Sequence, residues 1–224
     1  MSTTTAASAT AGTRRRSISL AEAWREFWRW PSPWIMTAVL VPALVGRIAL
    51  GDFGRSDLVT AAIMVAAQPF VEWVLHVTML HMRPFEAFGR MIDPLFARMH
   101  REHHAEPRDT ELVFIPTPVL VQVLVIALAV TFFAFSDVSS GLTFLVMLTI
   151  IGLVYEWTHY LIHTDYRPKT ALYRILWRNH RLHHYKNENY WMALTNTTPD
   201  TLFGTNPDPS EVETSPTATN LLGS

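Results

Sequence analysis

The chain has 224 residues, of which 49% are hydrophobic and 17% are charged. Soluble domains carry about 25% charged residues, so this composition argues against an ordinary soluble enzyme. The formal net charge of -1 provides no basic field for nucleic acid, and we expect no nucleic-acid partner. The absence of cysteine excludes disulfides, zinc fingers, thiolate iron–sulfur clusters and a catalytic thiol. Any metal ion must therefore be bound by nitrogen or oxygen.

The N-terminal region divides into two parts. Residues 1–17 are small and polar, end in an arginine run and lack the apolar core of a signal peptide, which predicts a disordered arm. In the next segment, 19–30, the apolar residues Leu20, Trp24 and Phe27 share one helical face. This pattern predicts an interfacial helix, with a soluble core helix as the alternative.

Four long apolar runs follow, at 34–50, 58–80, 116–135 and 142–162. Each is close to the roughly 20 residues that a helix needs to cross a bilayer. The sequence therefore predicts an all-α integral membrane protein with four transmembrane helices. Arg47, near the end of the first run, is expected to extend its side chain to the lipid headgroups.

The basic residues predict the orientation of these helices. Only Arg47, at the end of the first run, and Arg55 lie near the connection between the first two runs, and the short connection between the last two has none. The other Lys and Arg residues precede the first run, lie between the second and third, or follow the fourth. Because cytoplasmic loops are enriched in Lys and Arg, we expect both termini and the middle loop in the cytoplasm.

The remaining boundaries follow from composition. Residues 205–224 are rich in Pro, Ser and Thr, which predicts a flexible C-terminal tail dispensable for chemistry. Residues 18–204 are then left as the catalytic domain.

The histidines are the unusual polar feature of the chain. All ten fall in four clusters, HxxxxH, HxxHH, HxxxH and HxxHH, in that order. Their positions are His76, His81, His100, His103, His104, His159, His163, His180, His183 and His184. In each half of the chain an apolar run containing Glu-Trp leads to a histidine pair, and H-R-x-H-H follows. This repeat indicates two halves of one site.

Helix geometry places the clusters together. At 1.5 Å per residue, His76 and His159 lie about 27 and 26 Å from the starts of their apolar runs, so both emerge at the cytoplasmic membrane edge. Histidines at i, i+3 and i+4 share a helical face, and we expect the four clusters to form one nest in a cytoplasmic helical cap. His76 and His81 diverge by about 140° on an ideal helix, so this pair either flanks the site or requires a local distortion.

The composition of the nest points to metal chemistry. Imidazole nitrogens suit borderline ions such as Fe, Zn, Cu or Ni, and ten are too many for one ion. Two octahedral ions offer about twelve positions, which leaves a few for water or O2. Glu72 and Glu156 precede their histidines on the same faces and are candidates for carboxylates that orient the rings.

The four-cluster pattern resembles the fatty acid hydroxylase and sterol desaturase superfamily of membrane-bound non-haem di-iron enzymes, over roughly Pro69 to Gly204. The resemblance implies that the ten histidines bind two Fe2+ ions and that O2 is a co-substrate. It also implies that the enzyme hydroxylates a C–H bond of a membrane lipid, whether a fatty acyl chain, a sterol or an isoprenoid. Asn189, after the last cluster, resembles a polar residue that contacts the site in related enzymes.

Other parts of the reaction are expected from the same resemblance. The chain has no His-Pro-Gly-Gly motif and no histidine left for a haem, so electrons are expected from a separate reductase or ferredoxin-like protein. Aromatic side chains are candidates for lining an apolar substrate tunnel, with ordinary packing as the alternative. These are Trp73, Phe85, Phe88, Trp157 and Trp191.

Three alternatives remain at this point. A lipid desaturase or a carotenoid hydroxylase would use the same ligands. A membrane metal-binding or transport protein would also use histidine, although transporters place polar groups near the membrane midplane, where these runs are apolar. The third is a degenerate scaffold that keeps metal for stability, although all four clusters are intact.

Overall fold

The computed structural model describes residues 17–223. The predicted N-terminal arm, 1–17, lies outside this range except for Ser17. The helices are α1 (Leu20–Phe27), α2 (Pro31–Leu50), α3 (Arg55–Leu75), α4 (Leu95–Ala105), α5 (Thr117–Phe133), α6 (Val138–His163), α7 (Ala171–Tyr185) and α8 (Thr198–Leu202). Two short strands, β1 (Phe85–Ala87) and β2 (Arg90–Ile92), form an antiparallel hairpin between α3 and α4. Short π- and 3₁₀-helical turns make up the remaining regular structure in the described residues.

Four helical segments are long and apolar enough to cross a membrane, which confirms the predicted architecture. They are Pro31–Leu50, Arg55–Leu80, Thr110–Phe133 and Val138–His163. The last of them, α6, packs against α2, α3 and α5 and is the centre of the bundle. Gly141 allows α5 and α6 to approach closely, because a Cβ at this position would collide with the carbonyl oxygen of Thr131.

Arg47 does not reach outward from α2. Its side chain is 2% exposed and forms two hydrogen bonds with the carboxylate of Asp57, at 2.9 and 2.7 Å. Asp52 accepts a further bond, and the ring of Phe53 lies 4.0 Å from the guanidinium. The expectation of an arginine at the headgroups was therefore wrong, because nearby carboxylates neutralise the charge within the protein.

The helix predicted at 19–30 is present as α1, over Leu20–Phe27. Its N-terminus carries a capping box between Ser19 and Glu22, which satisfies backbone N–H groups that a helix start otherwise leaves free. Phe27 is buried beside Phe114 and Tyr160. Leu20 and Trp24 are each 48% exposed, so one face of α1 packs on the bundle and the other remains accessible.

The C-terminal segment differs from the predicted flexible tail. The backbone N–H of Ser215 donates to the Lys186 carbonyl at 2.7 Å, and the side chains of Ala218 and Leu221 are buried. The small and polar residues of this segment do not make it flexible, because hydrogen bonds to the end of α7 and the loop after it hold the segment in place without a large apolar face.

Candidate metal centre

The ten histidines are delivered by four helical segments. His159 and His163 lie in the last turns of α6, and His76 and His81 lie at the corresponding end of the second membrane-length helix. The two HxxHH clusters lie on the shorter helices α4 and α7. Eight of the ten rings are buried, and His81 and His163 are partly exposed.

The pair His76 and His81 is brought together by a distortion of the helix. Residues His76–Leu80 form a π-helical turn, in which the His81 N–H donates to the His76 carbonyl at 3.3 Å. A π-helical turn takes five residues from hydrogen-bond acceptor to donor instead of four. The rings consequently lie 4.9 Å apart between centroids, which confirms that the i, i+5 spacing requires a local distortion.

The rings divide into two groups of five. Within each group, one nitrogen of every ring lies within 4.8 Å of the others. The first histidine group contains His76, His81, His100, His104 and His183. The second histidine group contains His103, His159, His163, His180 and His184.

This division gives the site an internal two-fold pattern. The first group takes two rings from the π-helical region, the i, i+4 pair of α4 and one ring of α7. The second takes two rings from α6, the i, i+4 pair of α7 and one ring of α4. Adjacent residues diverge by about 100° on a helix, so the neighbours His103 and His104 enter different groups. The three histidines of each HxxHH cluster face one nest, as expected, but each cluster divides its rings between the two groups.

Backbone carbonyls fix the orientation of five rings. In the first group the Nδ1–H of His76 donates to Met192 at 2.6 Å, and the equivalent bonds of His104 and His183 reach Ala218 and Tyr190, both at 2.9 Å. A carbonyl oxygen only accepts hydrogen bonds, so Nδ1 must carry the proton. The Nε2 atom of each neutral ring then presents a lone pair.

Two rings of the second group are held in the same way. His159 donates to the Val113 carbonyl at 2.9 Å and His163 to that of Pro107 at 2.7 Å. Both acceptors lie between α4 and α5. The site therefore uses backbone oxygens to select which nitrogen of each ring faces the interior.

The facing nitrogens fit a bound cation. Nε2 of His104 and Nε2 of His183 are 3.2 Å apart, yet both rings place their proton on Nδ1, so two lone pairs oppose each other. A metal ion between them removes this repulsion. Nitrogen ligands about 2.1 Å from one ion and at right angles to each other lie about 3.0 Å apart. The Nε2 separations of His76–His100, His163–His180 and His180–His184 are 3.1, 2.9 and 3.0 Å.

Unpartnered ring nitrogens support the same interpretation. Both nitrogens of His103 and Nε2 of His159 are buried without a hydrogen-bond partner among the described residues. An unpartnered buried polar atom costs about 1–3 kcal/mol. Metal coordination would satisfy one nitrogen on each ring.

The electrostatics keep the rings neutral and able to bind a metal. Burial lowers the pKa of His104 to about 4, even though the Ala218 hydrogen bond raises it. The pKa values of His100, His103, His183 and His184 fall well below the usual range because of burial and, secondarily, the neighbouring histidines. Neutral imidazole is the form that coordinates metal ions.

Glu72 and Glu156 do not bond to histidine rings as expected. Glu72 accepts hydrogen bonds from the backbone N–H groups of Leu194 and Thr195. Glu156 accepts from the Ile115 N–H and from the Ser32 hydroxyl. Each carboxylate therefore anchors a backbone segment. In each segment, the carbonyl two residues before the anchored amide accepts a hydrogen bond from a histidine ring.

Asp200 is a buried residue that was not predicted from the sequence. It extends the backbone segment that Glu72 anchors. Its carboxylate accepts the backbone N–H groups of Met192 and Ala193 at 3.0 and 2.9 Å. Asp200 and Glu72 thus bind four consecutive amides, 192–195. Immediately before them, buried Trp191 has a left-handed backbone with φ 55°, and the carbonyls on either side of it hold His183 and His76. No sequence motif signals such backbone contacts.

Asn189 is not part of the site. It is exposed, and its side chain donates to Asn187 at 3.0 Å. Its neighbour Glu188 is buried instead and accepts the hydroxyl groups of Ser215 and Thr217. Glu188 thus holds the C-terminal segment whose Ala218 carbonyl binds His104.

The aromatic residues expected to line a tunnel have other roles. Trp157 packs edge-to-face on Trp24 and Phe27 of α1. Trp73 donates to Asp200 at 3.1 Å. Phe85 and Phe88 are exposed on the hairpin. The structure therefore supports the packing alternative for Trp157 and a hydrogen-bonding role for Trp73.

The second histidine group borders a polar cavity of about 300 Å³. Pro107, Arg108, His163 and Arg181 line it. His163 is the only member of the second group that lines it, and the other four rings of the group are buried.

Comparisons with known proteins identify a family and a similar fold. The family model described as fatty acid hydroxylase matches residues 61–205. A solved structure of full-length Scs7p, in which only the hydroxylase domain is visible, is similar with a TM-score of 0.63 and 20% identity, covering 82% of this chain and 69% of that one. No curated protein sequence matches the chain significantly. The family match spans both histidine groups and the four segments that deliver them, and the chain belongs to the fatty acid hydroxylase family.

Proposed function

We propose that the protein is an integral membrane di-iron oxygenase that hydroxylates a C–H bond of a membrane lipid. The observation that carries this proposal is the pair of buried five-histidine groups, with rings fixed by backbone carbonyls and lone pairs turned toward each other. The balanced reaction converts R–H, O2, two electrons and two protons into R–OH and water.

The ten histidines would hold two Fe2+ ions, one in each group. Bound iron supplies the redox chemistry by which O2 is reduced and the C–H bond is oxidised. The chain itself contributes three things. Carbonyls fix the ring orientation, burial excludes water, and depressed histidine pKa values leave the nitrogens unprotonated at neutral pH.

The position of the groups supports a lipid substrate. His76 and His159 lie at the ends of membrane-length helices, so an acyl or isoprenoid chain in the bilayer lies within reach of the site. Groups at the ends of these helices rather than at their centres favour catalysis over metal transport. The distribution of Lys and Arg places both termini and the metal site on the cytoplasmic side in this proposal.

A separate protein is proposed to deliver the electrons. Every histidine of the chain lies in one of the two groups, and the chain has no cysteine for an iron–sulfur cluster. A reductase or ferredoxin-like protein on the cytoplasmic side would supply both electrons.

The test is expression of the chain in a host, followed by mass spectrometry of its lipids and iron analysis of the purified protein. The expected result is a lipid heavier by one oxygen atom, which disappears in the variants His103→Ala and His183→Ala, one from each group. A lipid lighter by two hydrogen atoms would identify a desaturase instead. Full turnover in either variant would refute the proposed site.

A further inference from the structure

The β1–β2 hairpin exposes large apolar side chains in its turn and on its strands. Phe88 is 100% exposed, Met91 is 69% exposed and Phe85 is 42% exposed. No described residue covers the side chain of Phe88, and those of Met91 and Phe85 are only partly covered. A pair of three-residue strands has too small a surface to bury them itself.

The backbone conformation of the hairpin turn is energetically unfavourable for a phenylalanine at position 88. Phe88 and Gly89 have φ values of 53° and 69°, as in the two-residue hairpin turns that favour Asn-Gly. A bulky residue in the left-handed region is strained. No contact of the Phe88 ring within the described residues offsets this strain, so any compensating contact lies outside residues 17–223.

Arg101 ties the hairpin to α4, the helix that carries His100, His103 and His104. Arg101 of α4 donates to the Met82 carbonyl before β1 at 2.7 Å and pairs with Asp93 after β2 at 2.5 Å. Its side chain is only 9% exposed. Arg101 lies between His100 and His103, so the hairpin is tied at both ends to the helix that carries one HxxHH cluster.

The surroundings of the hairpin favour a lipid surface as its partner. β1 begins five residues after Leu80, the end of a membrane-length segment. Arg90 is exposed next to the turn and Arg83 is exposed just before β1, together with one acidic residue, Glu86. Aromatic side chains flanked by arginine are typical of segments that lie in the headgroup region of a bilayer.

We propose that the hairpin inserts Phe88 and Met91 into the interfacial region of the bilayer that the four helices cross. Arg83 and Arg90 then lie at the level of the lipid phosphates. Inserted in this way, the hairpin fixes the height of α4 and its histidines relative to the membrane surface. This proposal does not depend on the reaction that the metal centre catalyses.

The absence of cysteine allows a direct test with single-cysteine variants of the full chain. Met91→Cys is labelled with an environment-sensitive fluorophore, and the protein is reconstituted in phosphatidylcholine–phosphatidylglycerol vesicles containing lipids brominated near the headgroup. Asn189→Cys, at an exposed polar position, is the aqueous control. Phe133→Cys, 88% exposed at the end of α5, is the lipid-facing control.

The expected result is blue-shifted emission at position 91 and quenching by brominated lipid at least several-fold stronger than at position 189. Adding Phe88→Asn, which suits the left-handed turn, should reduce this quenching while circular dichroism remains unchanged. Water-like emission at position 91, with quenching no stronger than at 189, would overturn the proposal. Emission that depends on the protein-to-lipid ratio and not on brominated lipid would indicate contact between two copies, which also overturns it.

Discussion

The two histidine groups have the same number of rings but are supported by different parts of the chain. In the first group, the carbonyls that hold His76, His104 and His183 all come from the region after α7. In the second, the carbonyls that hold His159 and His163 come from the connection between α4 and α5. The ligands are thus arranged with two-fold similarity, whereas their supports are not.

Because the supports differ, we expect a mutation in one support to weaken metal binding at one histidine group and not at the other. The first group depends on the C-terminal segment folding back over the helices. The second relies on fewer supports, because Nδ1 of His103, His180 and His184 lacks a hydrogen-bond partner among the described residues. Metal binding should therefore order the second group more than the first.

The largest effect is expected from removing a ligand. His103→Ala and His104→Ala alter adjacent residues that enter different groups. Each should abolish the proposed hydroxylation, because that reaction is proposed to need both ions, while lowering metal affinity mainly at its own site. Lipid analysis and metal titration of the purified variants measure the two effects. Equal loss of both ions in both variants would show that the groups are not separate.

The next effect concerns the C-terminal segment. Deletion of residues 216–224 removes the Ala218 carbonyl and should weaken metal binding by about 10–100-fold at the first group, in the range found for lost outer-shell contacts. The second group should keep its affinity. Deletion of residues 222–224 alone is the matched control, since it leaves Ala218 in place. A full complement of tightly bound metal after the longer deletion would contradict this role of the segment.

Smaller effects, each on a different histidine group, are expected from the two buried glutamates. Glu72→Gln disturbs the segment that holds His76, and Glu156→Gln disturbs the segment that holds His159. Each should weaken its own group by about 10-fold. Titration of the two variants side by side measures the selectivity, and identical behaviour of both would reject it.

The smallest effect is expected at Asn189. Its side chain is exposed and contacts Asn187 rather than a histidine. Asn189→Ala should leave metal content and activity unchanged. A clear loss of either would restore the role that the family resemblance assigned to this residue.

The sequence predicted the parts of the molecule that depend on local pattern. Apolar length identified the four membrane-length helices, and a local distortion, which the π-helical turn provides, was one of the two alternatives that the spacing of His76 and His81 left open. The separation of His103 from His104 follows from the 100° rotation between adjacent helical residues, although the clusters were expected to act as single faces.

The supports of the site depend on tertiary contacts and were not predictable. The amides bound by Glu72 and Asp200 and the Ala218 carbonyl belong to backbone, which carries no side-chain signal. The segment after 205 has the composition of a flexible tail, yet hydrogen bonds to Glu188 and Lys186 hold it in place. The hairpin likewise gave no period-two pattern long enough to identify three-residue strands.

The central claim is that the ten histidines form two distinct metal sites. Anomalous diffraction at the iron edge from crystals of the iron-loaded protein tests it most directly. The account predicts two peaks per chain, one inside each five-histidine group. A single peak shared by histidines of both groups, or iron bound away from them, would contradict it.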